Sequence, residues 1–501
     1  MAKKYFVTAS EMQNYDKNTI EMIGIPACVL MERAALASVN VIETNCEHIK
    51  GNKYVLIMAG MGNNGGDGLA VGRILAERGY KVEIWLIGTP EKASQQWKQQ
   101  MKILEHYPIE ITEKPERKSY TVLVDALFGV GLAREVTGCF EEAITLFNKM
   151  EGHKLALDVP SGVSSDKGEI LGCAVKADRT ITFGFCKRGL VLYPGCEYAG
   201  DVRIADIGIS KQSFMGKEPG MFALEGEMAE LLPKRKKDGN KGTFGKILLV
   251  AGSENMAGAA VLAAKAAYRT GAGMVKVITH PQNRIILQEK VPEALFGSYD
   301  NLEEGMAWAD VIAVGPGIGK GEAALTSLKR VITESGKPLL IDADGLNLLA
   351  VTQELEEILT KQGAEGREVV LTPHVGELSR LTGKSVELCK QNLTFYGMEL
   401  AVQLQVTVAA KDARTMICRK DFPVCINVTG NDGMAAAGSG DVLAGIIASL
   451  LAQGMDAFDA ACTGVYLHGM AGDLVTAKSG AYFCMAGDIA EAAGICCSMC
   501  K

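Results

Sequence analysis

The chain has 501 residues, too many for one ordinary core, so two or more domains are expected. Hydrophobic residues make up 48% and charged residues 22%, a globular rather than a disordered balance. The net charge of −7 excludes a basic field for nucleic acid, and the one tight basic run, Lys234-Arg235-Lys236-Lys237, reads as a solvated linker.

Behind its first lysines the N-terminus, MAKKYFVTAS, has no apolar stretch, so no signal peptide is expected. With no uncharged apolar run of about 18 residues, no membrane partner is expected either. The 14 cysteines are scattered, many in apolar contexts such as Cys28 and Cys462, which suits a reducing cytosol. Cys497 and Cys500 have CxxC spacing but no His or second pair nearby, so the reading is against a metal site.

Apolar runs alternate with helical patterns, the signature of an α/β fold. In chain order, 54–59 reads as a buried strand, 68–78 as a helix, and 82–87, 121–124, 155–157, 180–183 and 202–204 as further strands. Periodicity fades over 208–243, rich in Lys, Gly and Pro, and the boundary is placed there, giving domains 1–215 and 222–501. A new βα pattern then begins with strand 247–250, helix 257–270 and strand 274–278. Strands follow at 311–314, 339–341, 369–371 and 406–410, then a hairpin through 415–426, and the chain closes with helices after Gly440 and after Asp456.

Gly60-Met61-Gly62-Asn63-Asn64-Gly65 matches GxGxxG between a strand and a helix, the context of dinucleotide binding. The acidic residue that a dehydrogenase needs at the end of the next strand is missing. Instead the turn carries Asn63, Asn64 and Asp67, and other strand ends supply Asp125, the run Gly129-Val130-Gly131-Leu132-Ala133-Arg134-Glu135, and Asp158-Val159-Pro160-Ser161-Gly162. Any one such Asp is ordinarily a turn residue or helix cap, but four such turns on one sheet make a site by topology. Asn64, Asp125 and Ser161 offer hard oxygen ligands that suit a hard cation.

NNGGDG, D-x4-G-x-G-x-x-R, LDVPSGV and the opening TASEMQNYDKNTIEMIGIPACVLMERAA, over about residues 5–210, resemble the NAD(P)H-hydrate epimerase family. The resemblance implies a Rossmann-like domain that interconverts the R and S hydrates of NADH and NADPH. It carries hydrate contacts to Asn63, Asn64, Gly65, Gly66 and Asp67, to Gly129 through Glu135, and to Asp158. Potassium falls on Asn64, Asp125 and Ser161. Asp158 is the candidate for proton transfer; Lys187, in TFGFCKRG, is either its partner or a surface lysine.

The second half holds the most informative run, GNDGMAAAGSGDVLAG at 430–445. Gly438-Ser439-Gly440 is a turn whose uncovered N–H groups and following helix dipole suit an anion. An Asp beside bound phosphate makes sense as a base for an attacking hydroxyl, and Asp441 has that place. No Walker A motif exists, since Leu378 stands where the first glycine of a Gly383-Lys384-Ser385 loop would be.

KGTFGKILLVAGS, GAGMVKV, VGPGIG, DADGLN, LTPHVGE, KDART, the GSGD run and HGMAGD, over about 241–473, resemble the ribokinase-like NAD(P)H-hydrate dehydratases. That resemblance implies hydrate contacts at Ala259, Gly317, His374 and Asp441, and nucleotide contacts at Lys411, Asp412, Ala413, Arg414, Thr415 and Gly440. Where the family often has His, this chain has Asn240. The implied chemistry phosphorylates the hydrate hydroxyl and eliminates phosphate, with ADP rather than ATP as donor. Mg²⁺ is expected because the phosphoryl group carries more charge than Lys411, Arg414 and the turn amides can neutralise; Asp342 and Asp344 are either its water-mediated partners or simply a strand end with a capped helix. The expected whole is an α/β protein, a Rossmann-like epimerase domain followed by a ribokinase-like domain, acting on NADHX and NADPHX as a cytoplasmic homo-oligomer. Two competing readings are a small-molecule kinase of hydroxymethylpyrimidine or sugar type with an accessory N-terminal domain, and a nucleotide sensor.

Overall fold

A computed structural model of the chain describes residues 2–46 and 53–498; Cys500, and with it the CxxC pair, lies outside them. The chain divides into two compact units, Tyr5–Gly220 and Met221–Lys501, the latter grouped with Met1–Lys4.

Tyr5–Gly220 is built on seven strands in the order Glu110–Thr112, Lys81–Leu86, Tyr54–Ala59, Ser119–Ala126, Glu151–Leu157, Arg179–Phe183 and Asp201–Ala205. Every pair is parallel. Helices cover both faces of such a sheet, so the central strands are apolar throughout rather than alternating. Val55 through Ala59 are all buried. Strand order reverses between Tyr54–Ala59 and Ser119–Ala126, which opens a crevice beyond their C-terminal ends.

The sheet of the second unit runs Leu295–Gly297, Met274–Ile278, Lys246–Val250, Val311–Val314, Leu339–Ile341, Val369–Leu371, Thr407–Ala410, Met416–Cys418, Val424–Ile426, Met221–Glu225. Only the Met416–Cys418 strand is antiparallel to its neighbours. Order reverses between Lys246–Val250 and Val311–Val314. The Ala-rich helix Ala257–Arg269 packs closely on the helix Ser439–Ala452 because Gly445 has no side chain; a Cβ there would lie 2.1 Å from the Ala263 carbonyl oxygen. This contact places the GSGD turn at the helix start beside the crevice.

Several elements differ from the expectations. The first-unit helix begins at Asn63, not Gly68, so Asn63 through Asp67 form its opening turns. The strand that holds Asp125 extends to Ala126. Within the expected linker, Met221–Glu225 is a strand paired with Val424–Ile426, and Arg235 donates to the Gly271 carbonyl and stacks on Phe244. A further helix, Ala486–Ser498, follows the expected last one. Among the described residues no helix is long and apolar enough to cross a membrane.

Candidate functional site

The reversal in the first unit opens into a cleft of about 1030 Å³. Asn63, Asn64, Asp67, Gly129 through Arg134 and Asp158 line it, together with Asp16 and Lys187. Gly65 and Gly66 lie buried beneath the helix start instead, and a Cβ on Gly65 would stand 1.9 Å from the Gly60 carbonyl oxygen. Glu135 is not among the lining residues.

Asp158 sits in the left-handed region at φ 66, a conformation that costs a non-glycine residue of order 1–3 kcal/mol. Its Oδ1 meets Lys187 Nζ at 2.5 Å. Lys187 is buried, not a surface lysine; its ammonium also donates to Thr182 Oγ1 (3.0 Å) and the Phe183 carbonyl (2.8 Å). Asp16 and Asp67 face this pair. Burial, together with Asp158 and Asp16, holds the Asp67 carboxyl well above the usual range. For Asp16, burial raises its carboxyl too, against the pull of Lys187.

Below the cleft, the fully buried Asp125 accepts from Ser161 Oγ (2.6 Å), Ser161 N (2.7 Å) and Leu127 N (3.2 Å). Burial outweighs these bonds and lifts Asp125 to about 6. Asn64 donates to the carbonyls of Phe128 and Leu157, which leaves its buried Oδ1 with no partner.

The second site gathers residues from four strand ends and a helix start. Gly438, at φ 89, caps the helix Ser439–Ala452. Ser439 N–H is already taken by the Ala436 carbonyl, so among the described residues the uncovered backbone donors of this turn are Gly438, Gly440 and Asp441. Lys411 Nζ stands 2.8 Å from Asp342 Oδ1, and a Cβ on Gly440 would meet that ammonium at 3.5 Å. Burial disfavours the Lys411 charge, but Asp342, Glu377 and Asp441 together raise its pKa. Burial pushes Asp441 up to about 7; Asp342 and Asp344 push the same way and Lys411 opposes them.

Asp342 is engaged by Lys411 and by Thr372 Oγ1 (2.7 Å), and Asp344 accepts from Gly319 N (3.0 Å). Gly317, at φ 59, lies against Ala259, whose Cβ would be 2.9 Å from one built on the glycine. Lys411 to Thr415 form the hairpin connection between Thr407–Ala410 and Met416–Cys418. His374 has a structural role. Its Nδ1 caps the helix Val375–Thr382 by accepting from Gly376 N (2.9 Å), while Nε2 lies 3.3 Å from Glu377 Oε1. The ring is nonetheless exposed, and burial of its inner edge with Lys411 and Arg380 lowers its pKa. At Asn240, where the family often has His, Oδ1 accepts from Gly242 N (2.9 Å).

Two buried groups were not singled out from the sequence. Glu377 is lifted to about 7 by burial, partly offset by Lys411. His468 is held neutral at about 4, by burial and by Lys411. Glu377 was legible as the third helical residue behind a capping His374, the spacing of a capping box; nothing in the sequence marks His468 as buried.

Comparison with known proteins follows the same division. Residues 27–189 match the family model of the YjeF-related protein N-terminus and 247–493 that of NAD(P)H-hydrate dehydratase. The chain is 36% identical to the bifunctional NAD(P)H-hydrate repair enzyme Nnr of Moorella thermoacetica, over 97% of this chain and 95% of that one. It belongs to the bifunctional NAD(P)H-hydrate repair enzymes. A second member, from Thermofilum pendens, is 35% identical over 94% of this chain and 92% of its own. Among solved structures, a ribokinase-like superfamily protein from Enterococcus faecalis V583 is 29% identical with a TM-score of 0.50, covering 56% of this chain and 96% of that one. Matches to bifunctional repair enzymes along nearly the whole chain do not favour the small-molecule kinase reading.

Proposed function

We propose that the chain repairs hydrated NAD(P)H in two steps. The first unit interconverts the R and S hydrates, with Asp158 moving the proton and Asn63, Asn64, Asp67 and Gly129 through Arg134 holding the nucleotide hydrate, while Gly65 and Gly66 shape the helix start beneath it. The second takes the S hydrate to NADH or NADPH at the expense of ADP. Asp441 accepts the hydroxyl proton as that oxygen attacks the β-phosphorus, and AMP leaves. The Gly440 and Asp441 N–H groups and Lys411 stabilise the charge on the transferring phosphoryl group. The ring nitrogen then expels phosphate, the adjacent carbon loses a proton, and the double bond returns. Ala259, Gly317 and the exposed edge of His374 hold the hydrate, and Lys411 to Thr415 with Gly440 hold the nucleotide.

The observation that carries this reading is the raised Asp441 carboxyl beside uncovered amides and the half-buried Lys411, which is paired with Asp342. A base that titrates near neutrality suits proton removal. Mg²⁺ would neutralise phosphate charge when bound with ADP. Since Asp342 and Asp344 already have protein partners, the residues here fit an ion held mainly by the nucleotide's own oxygens.

In the first unit, the unpartnered Asn64 Oδ1 and the Asp125 carboxylate beside Ser161 fit K⁺, which would supply charge to a buried carboxylate that lacks a basic partner among the described residues. The reading also has the protein in the cytoplasm as a homo-oligomer, which sedimentation tests. The nucleotide assignment is tested by recovery of dihydronicotinamide absorbance from the S hydrate with Mg²⁺ and ADP or ATP in turn. Faster recovery with ATP at matched concentration would overturn the ADP preference and leave the dehydratase standing.

A further inference from the structure

Of the motifs in the second unit, HGMAGD at 468–473 supplies no group to the chemistry proposed for the dehydratase site. It lies in the helix Ala457–Ser479, and residues 469, 472, 473 and 476 share one face of it. That face carries the segment leading into the GSGD turn. Asp473 Oδ2 accepts from Gly430 N (2.9 Å) and Oδ1 from Asn431 Nδ2 (2.7 Å). Asn431 also donates to Thr476 Oγ1 (2.8 Å), and its own Oδ1 accepts from Gly433 N (3.0 Å).

The two glycines make the seat. A Cβ on Gly469 would lie 2.1 Å from Thr429 Oγ1, and one on Gly472 2.2 Å from Met434 Sδ. At the far end, His468 Nε2 is 3.3 Å from Ser439 Oγ. No residue from 427 to 441 is buried, so apolar packing does not fix this segment. Its position depends on these polar pins and on the two glycines.

We propose that Asp473 is a positioning residue for phosphoryl transfer: through Gly430 and Asn431 it sets the segment that presents the Gly440 and Asp441 N–H groups to the phosphate. The inference rests on the dehydratase reading of this site. Asp473 touches neither nucleotide nor hydrate in that reading; it acts through the turn. A misplacement of about 1 Å in such donors costs on the order of 10²-fold in rate.

The hydrogen-bond pattern supplies its own rescue. In D473N the new amide turns its NH₂ toward either Gly430 N–H or Asn431 Nδ2, donor against donor. In N431D two carboxylates face each other. The double variant N431D/D473N exchanges the two groups. The amide at position 473 then donates to the carboxylate at position 431 and keeps its oxygen for Gly430 N–H. That carboxylate keeps Gly433 N–H and accepts the Thr476 hydroxyl.

The full chain is assayed with S hydrate, ADP and Mg²⁺. Each single variant is expected to lose about 10²-fold in kcat, with little change in KM for the hydrate and with R-to-S epimerisation unchanged. The double variant recovers most of the loss. A purely stabilising role would lower the thermal midpoint of the single variants and leave kcat unchanged well below it. D473N within twofold of the wild-type kcat, or a double variant no better than the single ones, overturns the proposal. A wild-type chain that restores no NADH overturns the dehydratase reading first, and this proposal with it.

Discussion

Asp441→Asn separates catalysis from stability. The carboxylate is the working form, and it titrates at about 7. Half the sites are then ionised at pH 7 and about one in eleven at pH 6, so dehydration should fall about fivefold over that unit and level off above about pH 8. Removing the base should cost about 10²–10⁴-fold at the plateau. Stability moves the other way. A carboxyl raised from 3.8 to about 7 contributes stability at low pH that is lost as pH rises through the folded value. At 1.36 kcal/mol per pKa unit the loss is up to roughly 4 kcal/mol by pH 8, and less to the extent that the site relaxes. The Asn variant should therefore melt above wild type at pH 8, an advantage that shrinks at pH 5, where wild-type Asp441 is protonated. Paired pH–rate profiles and thermal melts make the test. A flat profile between pH 6 and 8, or turnover by the variant within a few-fold of wild type, would refute the assignment of Asp441 as base.

Asp158→Ala should leave the S hydrate fully repaired and strand the R hydrate beyond its spontaneous epimerisation; chromatography of the two epimers checks this, and a normal interconversion rate removes Asp158 from proton transfer. Lys187→Met leaves a carboxylate unpaired beside Asp16 and Asp67 and should destabilise the first unit by about 3–5 kcal/mol, whereas adding Asp158→Asn should restore part of that in denaturant melts. Replacing K⁺ by tetramethylammonium should slow epimerisation and spare dehydration; equal rates of epimerisation in both salts would argue against the cation at Asn64 and Asp125. Separate expression of 5–220 and 221–501 should give two folded proteins, each with its own activity, and aggregation of both would argue for one shared core.

The α/β class and most strands were legible because both-faces-buried strands such as 54–59 and 247–250 are unbroken apolar runs. The helix start at Asn63 was not. Asn-Asn-Gly-Gly reads as loop by propensity, yet Gly68 leaves room for Ala126 and Gly72 for Ile57, contacts that exist only once the sheet is formed. The strand Met221–Glu225 was hidden for a related reason. Its partner, Val424–Ile426, lies some two hundred residues away, and its flanks are rich in Lys and Gly. Candidate site residues at strand ends were readable from glycine and aspartate punctuation, as at Asp158, Gly317 and Asp342. Lys187 was ambiguous because the carboxylate that makes its burial tolerable comes from a different strand end. His374 shows the reverse case: a residue read for ligand contact also caps a helix, because its imidazole nitrogen does the work of an Asp or Ser side chain.

The most direct test of two-step repair is a mass balance on an R and S mixture of NADH hydrate. The full chain with ADP and Mg²⁺ should return all of the hydrate to NADH, forming one AMP and one phosphate for each, while the Asp158→Ala variant should stop fast conversion once the S fraction is consumed. Accumulation of a phosphorylated hydrate without NADH, or recovery of the S fraction alone by the wild-type chain, would contradict it.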